Sequence, residues 1–182
     1  RFGPRFNRQA KSWRRYVYLK LTTDAFPRLS VVRTIRDDGA LYLGPLSSTR
    51  VARLVADAVE TALPLRRCTA TPGRAVRSGP CAPAQLGVAH CPCADQVSQE
   101  RYAEVVERLR RGVTGNPEVL LAPLEARMFA LAAAERFEEA ADVRDRAAAL
   151  AAALRRQNRF DTLRRAGRVV IEVDGLSGVE LD

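Results

Sequence analysis

Cys68, Cys81, Cys91 and Cys93 are all the cysteine in the chain, and they share one short stretch that regular structure cannot cross. Pro72, Gly73, Gly79, Pro80, Pro83, Gly87 and Pro92 interrupt both helical and strand periodicity there. A loop of that length is uncommon in a compact domain unless something ties it down. Four thiolates converging on a zinc ion or an iron–sulfur cluster would do so, because metal–ligand bonds replace a hydrophobic core. The spacing, C-x12-C-x9-C-x-C, is neither a paired zinc-ribbon pattern nor a ferredoxin run, so it does not name the occupant. Two other readings stay open: disulfides in an oxidising compartment, or plain unliganded thiols. Cys91 and Cys93 are too close in sequence to pair comfortably with each other. His90, the single histidine, is either a substitute ligand or an ordinary loop residue.

A net charge of +9 and a pI near 10.2 point to a polyanionic partner, most simply nucleic acid. The charge is concentrated. Residues 1–20 carry Arg1, Arg5, Arg8, Lys11, Arg14, Arg15 and Lys20 and no acid, with Phe2, Phe6 and Trp13 interleaved. That mixture suits phosphate contacts combined with stacking on bases, or aromatics packing on a following sheet below solvated arginines. Arg66, Arg67, Arg74 and Arg77 form a second acid-free stretch beside the first two cysteines. No apolar run is long enough to span a membrane, and a cytoplasmic location is expected. The chain opens on Arg1 and stops at Asp182 just after a strand pattern, so it reads as an internal fragment of a longer protein.

At 182 residues there is room for one medium domain or two small ones, and the fold class expected is α+β. Residues 1–15 are a basic arm. Residues 16–66 read as a β-β-β-α unit, whose first strand buries Val17, Leu19 and Leu21 by alternation. A second strand carries Leu29, Val31, Val32 and Ile35, and Asp37-Asp38-Gly39 is a hairpin turn into a third, ended by Gly44-Pro45. Ser47 or Ser48 caps a helix with Val51, Leu54, Val55, Ala58 and Ala62 on one face. The cysteine loop occupies 67–97, and a connecting helix, capped by Ser98 and closed by Gly112, occupies 98–116. Residues 117–156 form an antiparallel helical hairpin that breaks near Glu135-Arg136, with Pro123 predicted to kink or restart its first helix. Such a hairpin cannot bury both apolar faces alone, so it needs a partner hairpin or its own domain. Residues 157–182 are an arginine-rich linker, or frayed helix end, followed by the strand Val169–Val173. No phosphate-binding loop, nucleophile–histidine pair or isolated carboxylate pair is present, so no catalytic residue is expected.

The order Y-V-Y-L-K-L-T, F-P-R-L, D-D-G-A-L-Y-L-G-P-L, P-L-R-R-C and then the cysteine loop resembles the middle of the UvrC family of excision-repair endonuclease subunits. L-E-A-R-M through F-E-E-A-A-D-V-R-D resembles the UVR motif of that family, and Pro4-Arg5-Phe6-Asn7 resembles the end of its GIY-YIG nuclease domain. The resemblance implies an upstream and a downstream magnesium-dependent nuclease domain outside this chain. It implies a role in nucleotide excision repair and the SOS response, with DNA and a UvrB-like protein as partners. By the same resemblance Cys68, Cys81, Cys91 and Cys93 hold an iron–sulfur cluster. With the two acid-free basic stretches, the residues expected to contact DNA are Arg5, Asn7, Arg8, Lys11, Arg14, Arg15, Arg66 and Arg67. Those implied for docking UvrB are Phe137, Glu138, Ala140, Ala141, Arg144 and Asp145. Two departures stand out: Cys91-Pro92-Cys93 spaces its thiols by one residue where the family tends to three, and Glu135 stands where the hairpin bend tends to carry leucine. The divergence also resembles actinobacterial proteins that fuse an exonuclease domain to a UvrC-like half. The rival reading is a regulatory adaptor of a stress-response kinase or Clp-type protease, which combines metal-binding cysteines with a UVR hairpin but needs neither the sheet nor the basic arm.

Overall fold

The computed structural model describes residues 16–69, 80–94, 97–166, 169–173 and 176–181. Strand β1 (Val17–Leu21) alternates buried and half-buried, as its sequence dictates. It lies in the centre of a three-stranded antiparallel sheet, with β2 (Leu29–Val32) on one side and β3 (Leu41–Leu46) on the other. Asp37-Asp38-Gly39 therefore does not close a hairpin: the connection carries the chain from one edge of the sheet to the other. Asp38 accepts from the Ala40 amide at 3.2 Å, so the turn chemistry is used while the pairing is not local. The tight connection is instead 22–28, closed by Thr22 N donating to Arg28 O at 3.0 Å and Arg28 N donating to Thr22 Oγ1 at 2.9 Å. Gly44-Pro45 does not end β3, which runs through it and pairs Leu46 with Val17. As an edge strand, β3 tolerates the missing proline donor. Ile35 lies beyond β2 and is 46% exposed.

Helix α1 (Thr49–Ala62) is capped by Ser48, whose Oγ accepts from Val51 N at 3.2 Å, and its Ala52, Val55, Ala58 and Val59 are buried. After the cysteine loop, which contains the short α2 (Ala82–Gln85), Ser98 caps α3 (Gln99–Thr114). Gly112 does not close α3. It is buried in the helix where α4 crosses, and a Cβ there would come within 2.7 Å of Leu120 Cδ1.

Helix α4 (Glu118–Ala133) runs unbroken through Pro123, with Leu120 and Leu124 fully buried on either side of it. Packing against the core outweighs the one backbone hydrogen bond the proline removes. Glu135 takes a left-handed φ of 58° in the bend, and Arg136 N donates to Leu131 O at 2.9 Å, closing the helix end. Helix α5 then runs from Phe137 to Ala166, so the arginine-rich segment after residue 155 continues the helix. Strands β4 (Val169–Val173) and β5 (Leu176–Leu181) form an antiparallel pair, of which only the first was legible in the sequence.

One apolar cluster joins the inner sheet face, α1, α3 and the α4–α5 hairpin. Ala140, Val143, Leu150, Ala153 and Leu154 of α5 face inward. The hairpin thus covers one face on its own domain and leaves the other to solvent, where Phe129 and Phe137 are 60% and 65% exposed.

Candidate functional site

The cysteine loop is anchored by Tyr102 and Arg66. Tyr102 is fully buried on α3, with Phe26 and His90 packed edge-on against its ring at centroid distances of 5.4 and 6.2 Å. Its hydroxyl donates to Pro27 O at 2.6 Å and accepts from Arg66 N at 3.0 Å, stitching the β1–β2 connection, the loop entry and α3 together. Burial pushes the Tyr102 phenol up to about 12. The Arg66 guanidinium pairs with Asp24 at 2.7 Å and donates to Phe26 O and, at 3.0 Å, to Cys68 O. The assignment of Arg66 to DNA does not survive this: at 2% exposure its charge is spent inside the protein, orienting Cys68. Arg67 is exposed and pairs with Glu60 at 3.0 Å.

None of the four cysteines is joined in a disulfide. Cys68 Sγ lies 3.8 Å from Cys93 Sγ; Cys91 is buried, while Cys81 is half-buried at the start of α2. Two thiolates on one tetrahedral ion, each about 2.3 Å from it, would stand about 3.8 Å apart. The pair therefore fits two corners of such an ion. Among the described residues no group of three or more His, Cys, Asp or Glu side chains is close enough to share a metal. Burial raises the Cys93 thiol, helped by its hydrogen bond with Cys68 and by Cys68 and Cys91 nearby, while Arg66 opposes. A metal here must displace protons. Burial, and after it the Arg101 charge, holds the His90 imidazole below the usual histidine range.

The hairpin residues separate by face. Phe137, Ala141, Arg144 and Asp145 follow at helical spacing on the outer side of α5, with Arg144 donating to Asp145 at 2.8 Å, and Glu138 is exposed beside Phe137. Ala140 is 7% exposed and belongs to the inward stripe, so it is a core residue rather than a contact available to a partner. Phe129 on α4 joins the outer side, a contribution the motif did not name. Arg5, Asn7, Arg8, Lys11, Arg14 and Arg15 lie outside the described residues, as do Arg74 and Arg77.

The sheet-bearing half, residues 16–112, matches the family model of the UvrC/Cho excinuclease middle domain, and residues 118–153 match the UvrB/uvrC motif. The chain belongs to the UvrC family. UvrABC system protein C of Moorella thermoacetica is 36% identical over 143 residues, which cover 78% of this chain and 23% of that protein. A protein of the same name from Thermus thermophilus is 36% identical over 149 residues, 82% of this chain and 25% of its own. That of Methanothermobacter thermautotrophicus is 29% identical over 158 residues, 87% and 26% of the two chains. The chain thus spans about a quarter of the length of these curated relatives. No solved structure matches it. Among the described residues no helix is long and apolar enough to cross a membrane.

Proposed function

We propose that this chain is the central, non-nucleolytic part of a UvrC-type excision-repair endonuclease, which binds DNA and docks a UvrB-like partner through the outer face of α4–α5. The observation that carries the reading is the ordered match of a UvrC middle domain and a UVR motif on one apolar core, with Phe129 and Phe137 left uncovered. A regulatory adaptor has no use for the sheet-bearing half. Phe137, Ala141, Arg144 and Asp145 supply an apolar anchor and a charged rim, the composition of a helix-face interface. The test is calorimetric titration with UvrB. Phe137→Ala should weaken binding at least about tenfold, the loss of a buried aromatic anchor, while leaving the melting temperature unchanged because the ring is already exposed. Equal affinity for wild type and variant would refute the docking face. Incubation with labelled DNA and Mg²⁺ should give no scission, and robust cutting would overturn the non-nucleolytic assignment.

Cys68, Cys81, Cys91 and Cys93 are the donors for a metal or cluster in this reading, supported by four thiols confined to one loop and by the spacing of Cys68 and Cys93. When bound, zinc or an iron–sulfur cluster would staple the loop to α3 rather than act in a reaction. Anaerobic purification with iron, sulfide and zinc analysis decides between them: stoichiometric iron and sulfide mean a cluster, one zinc means a staple. Neither metal, with four titratable thiols, refutes the site.

A further inference from the structure

The sheet's outer face meets the C-terminal half of α5 across a cleft of about 400 Å³. Tyr18 and Tyr42 form one wall and Phe160 the other, with Ile35, Pro45 and Arg164 at the margins. None of these residues belongs to the thiol loop or to the outer face of the hairpin. The tyrosines are held in place. Lys20, opposite Tyr42 in the β1–β3 ladder, lies 5.6 Å from the Tyr42 ring centroid and pairs with Asp38. The Tyr42 hydroxyl donates to Asp38 Oδ1 at 3.1 Å and accepts from Arg36 N at 3.2 Å. Tyr18 packs on Gly44, where a Cβ would come within 2.8 Å of the ring.

Phe160 and Arg164 of the facing wall and Arg156, one turn before them outside the cleft lining, recur at four-residue steps along one side of α5. Phe160 is 41% exposed, and Leu163 beside it is 57% exposed, although both sit on a helix with a buried stripe available. Arg156 donates to Pro45 O at 3.3 Å, and Gln157 Oε1 accepts from Gly44 N at 3.3 Å, so the helix is fastened to the edge of β3. The local acids are already engaged: Asp38 by Lys20 and Tyr42, Asp161 by the Gln157 amide at 3.1 Å. What remains for a ligand is the exposed Phe160 ring facing the half-buried Tyr18 and Tyr42, beside the guanidinium groups of Arg156 and Arg164. Rings that stack on bases, flanked by cations that take phosphates, are the recognition chemistry of single strands. A duplex offers no free base faces, and the cleft lies at the small-ligand end of pocket sizes, roughly 300–1,000 Å³.

We propose that this cleft binds single-stranded nucleic acid, seating unpaired bases against Tyr18, Tyr42 and Phe160 while Arg156 and Arg164 take the flanking phosphates. The inference rests on the DNA-binding reading above and gives it a location and a strand preference.

Fluorescence anisotropy of the 182-residue chain with a labelled thymidine oligomer and with a duplex of equal length tests it. Phe160→Ala should weaken the single strand roughly five- to a hundredfold, the loss of one stacking contact, and leave duplex affinity within about twofold. Phe160→Trp should retain single-strand affinity. Replacing Arg156 and Arg164 by Gln should lower the salt dependence of single-strand binding by about 1.4 in log–log slope, two phosphates' worth. Wild type that binds neither DNA at low salt overturns the DNA-binding reading itself. If wild type binds and Phe160→Ala binds equally well, only the cleft is refuted. A shift in the emission of Trp13, the sole tryptophan, caused by Phe160→Ala without loss of DNA affinity, would assign the cleft to the chain's own N-terminal segment and refute the proposal. Loss of UvrB capture with DNA binding intact would refute it in favour of a protein partner.

Discussion

Tyr102→Phe removes one oxygen and should cost more than its size suggests. The ring is fully buried, so the phenyl replacement keeps the packing against Phe26 and His90 and deletes only the hydroxyl. Two backbone groups then lose the partner that the hydroxyl supplied: Pro27 O, an acceptor at 2.6 Å, and Arg66 N, a donor at 3.0 Å. A buried polar group left unsatisfied costs about 1–3 kcal/mol. Allowing for partial relaxation, the pair should cost about 2–4 kcal/mol. For a chain of this size one kcal/mol moves the melting temperature by roughly 2–4 °C, so calorimetry should register a drop of about 5–15 °C. The loop entry should loosen with it, because Arg66 positions Cys68, and Cys68 should react faster with a thiol reagent below the melting transition. A variant melting within about 2 °C of wild type, with unchanged thiol kinetics, would refute the bridging role.

The same hydroxyl predicts a pH dependence. Its folded value of about 12 lies above the unfolded tyrosine's ordinary 10, so the folded state holds the proton more tightly. That contribution is complete below pH 10 and is lost between pH 10 and 12 at about 1.4 kcal/mol per unit; in Tyr102→Phe the loss in that window should shrink. Gly112→Ala should destabilise by about 1–3 kcal/mol by driving Leu120 off the α3–α4 crossing; pairing it with Leu120→Ala in a double-mutant cycle should show strong coupling. Glu135→Gly should stabilise by about 0.5–1 kcal/mol in urea unfolding, because φ 58° strains a residue with a side chain and suits glycine.

Much of this protein is local, and local features are readable in the sequence itself. The alternation of Val17, Leu19 and Leu21 became the central strand, Ser48 and Ser98 cap the helices they precede, and the hairpin turns at Glu135-Arg136. Each is decided by residues within one or two turns of each other, where backbone sterics and hydrogen bonding act on neighbours. Tertiary structure decided the rest. Asp37-Asp38-Gly39 is a sound turn, yet β2 and β3 flank β1, because both edges must help cover one apolar face on α1 and α3. Pro123 stays inside α4 and Gly112 inside α3 for the same reason: burial across the helix crossing outweighs local preference. Arg66 reads as one more exposed cation in a basic run until Asp24, Phe26 and Cys68 close around it. The resemblance named Phe137, Ala140, Ala141 and Arg144 together as one docking set; only packing separated them, leaving Phe137 and Arg144 exposed and turning Ala140 to the core. The aromatic cleft is the most distant of these outcomes. Tyr18 and Phe160 are far apart in the chain, and they face each other because α5 continues past its motif and is pinned to β3 at Gly44 and Pro45.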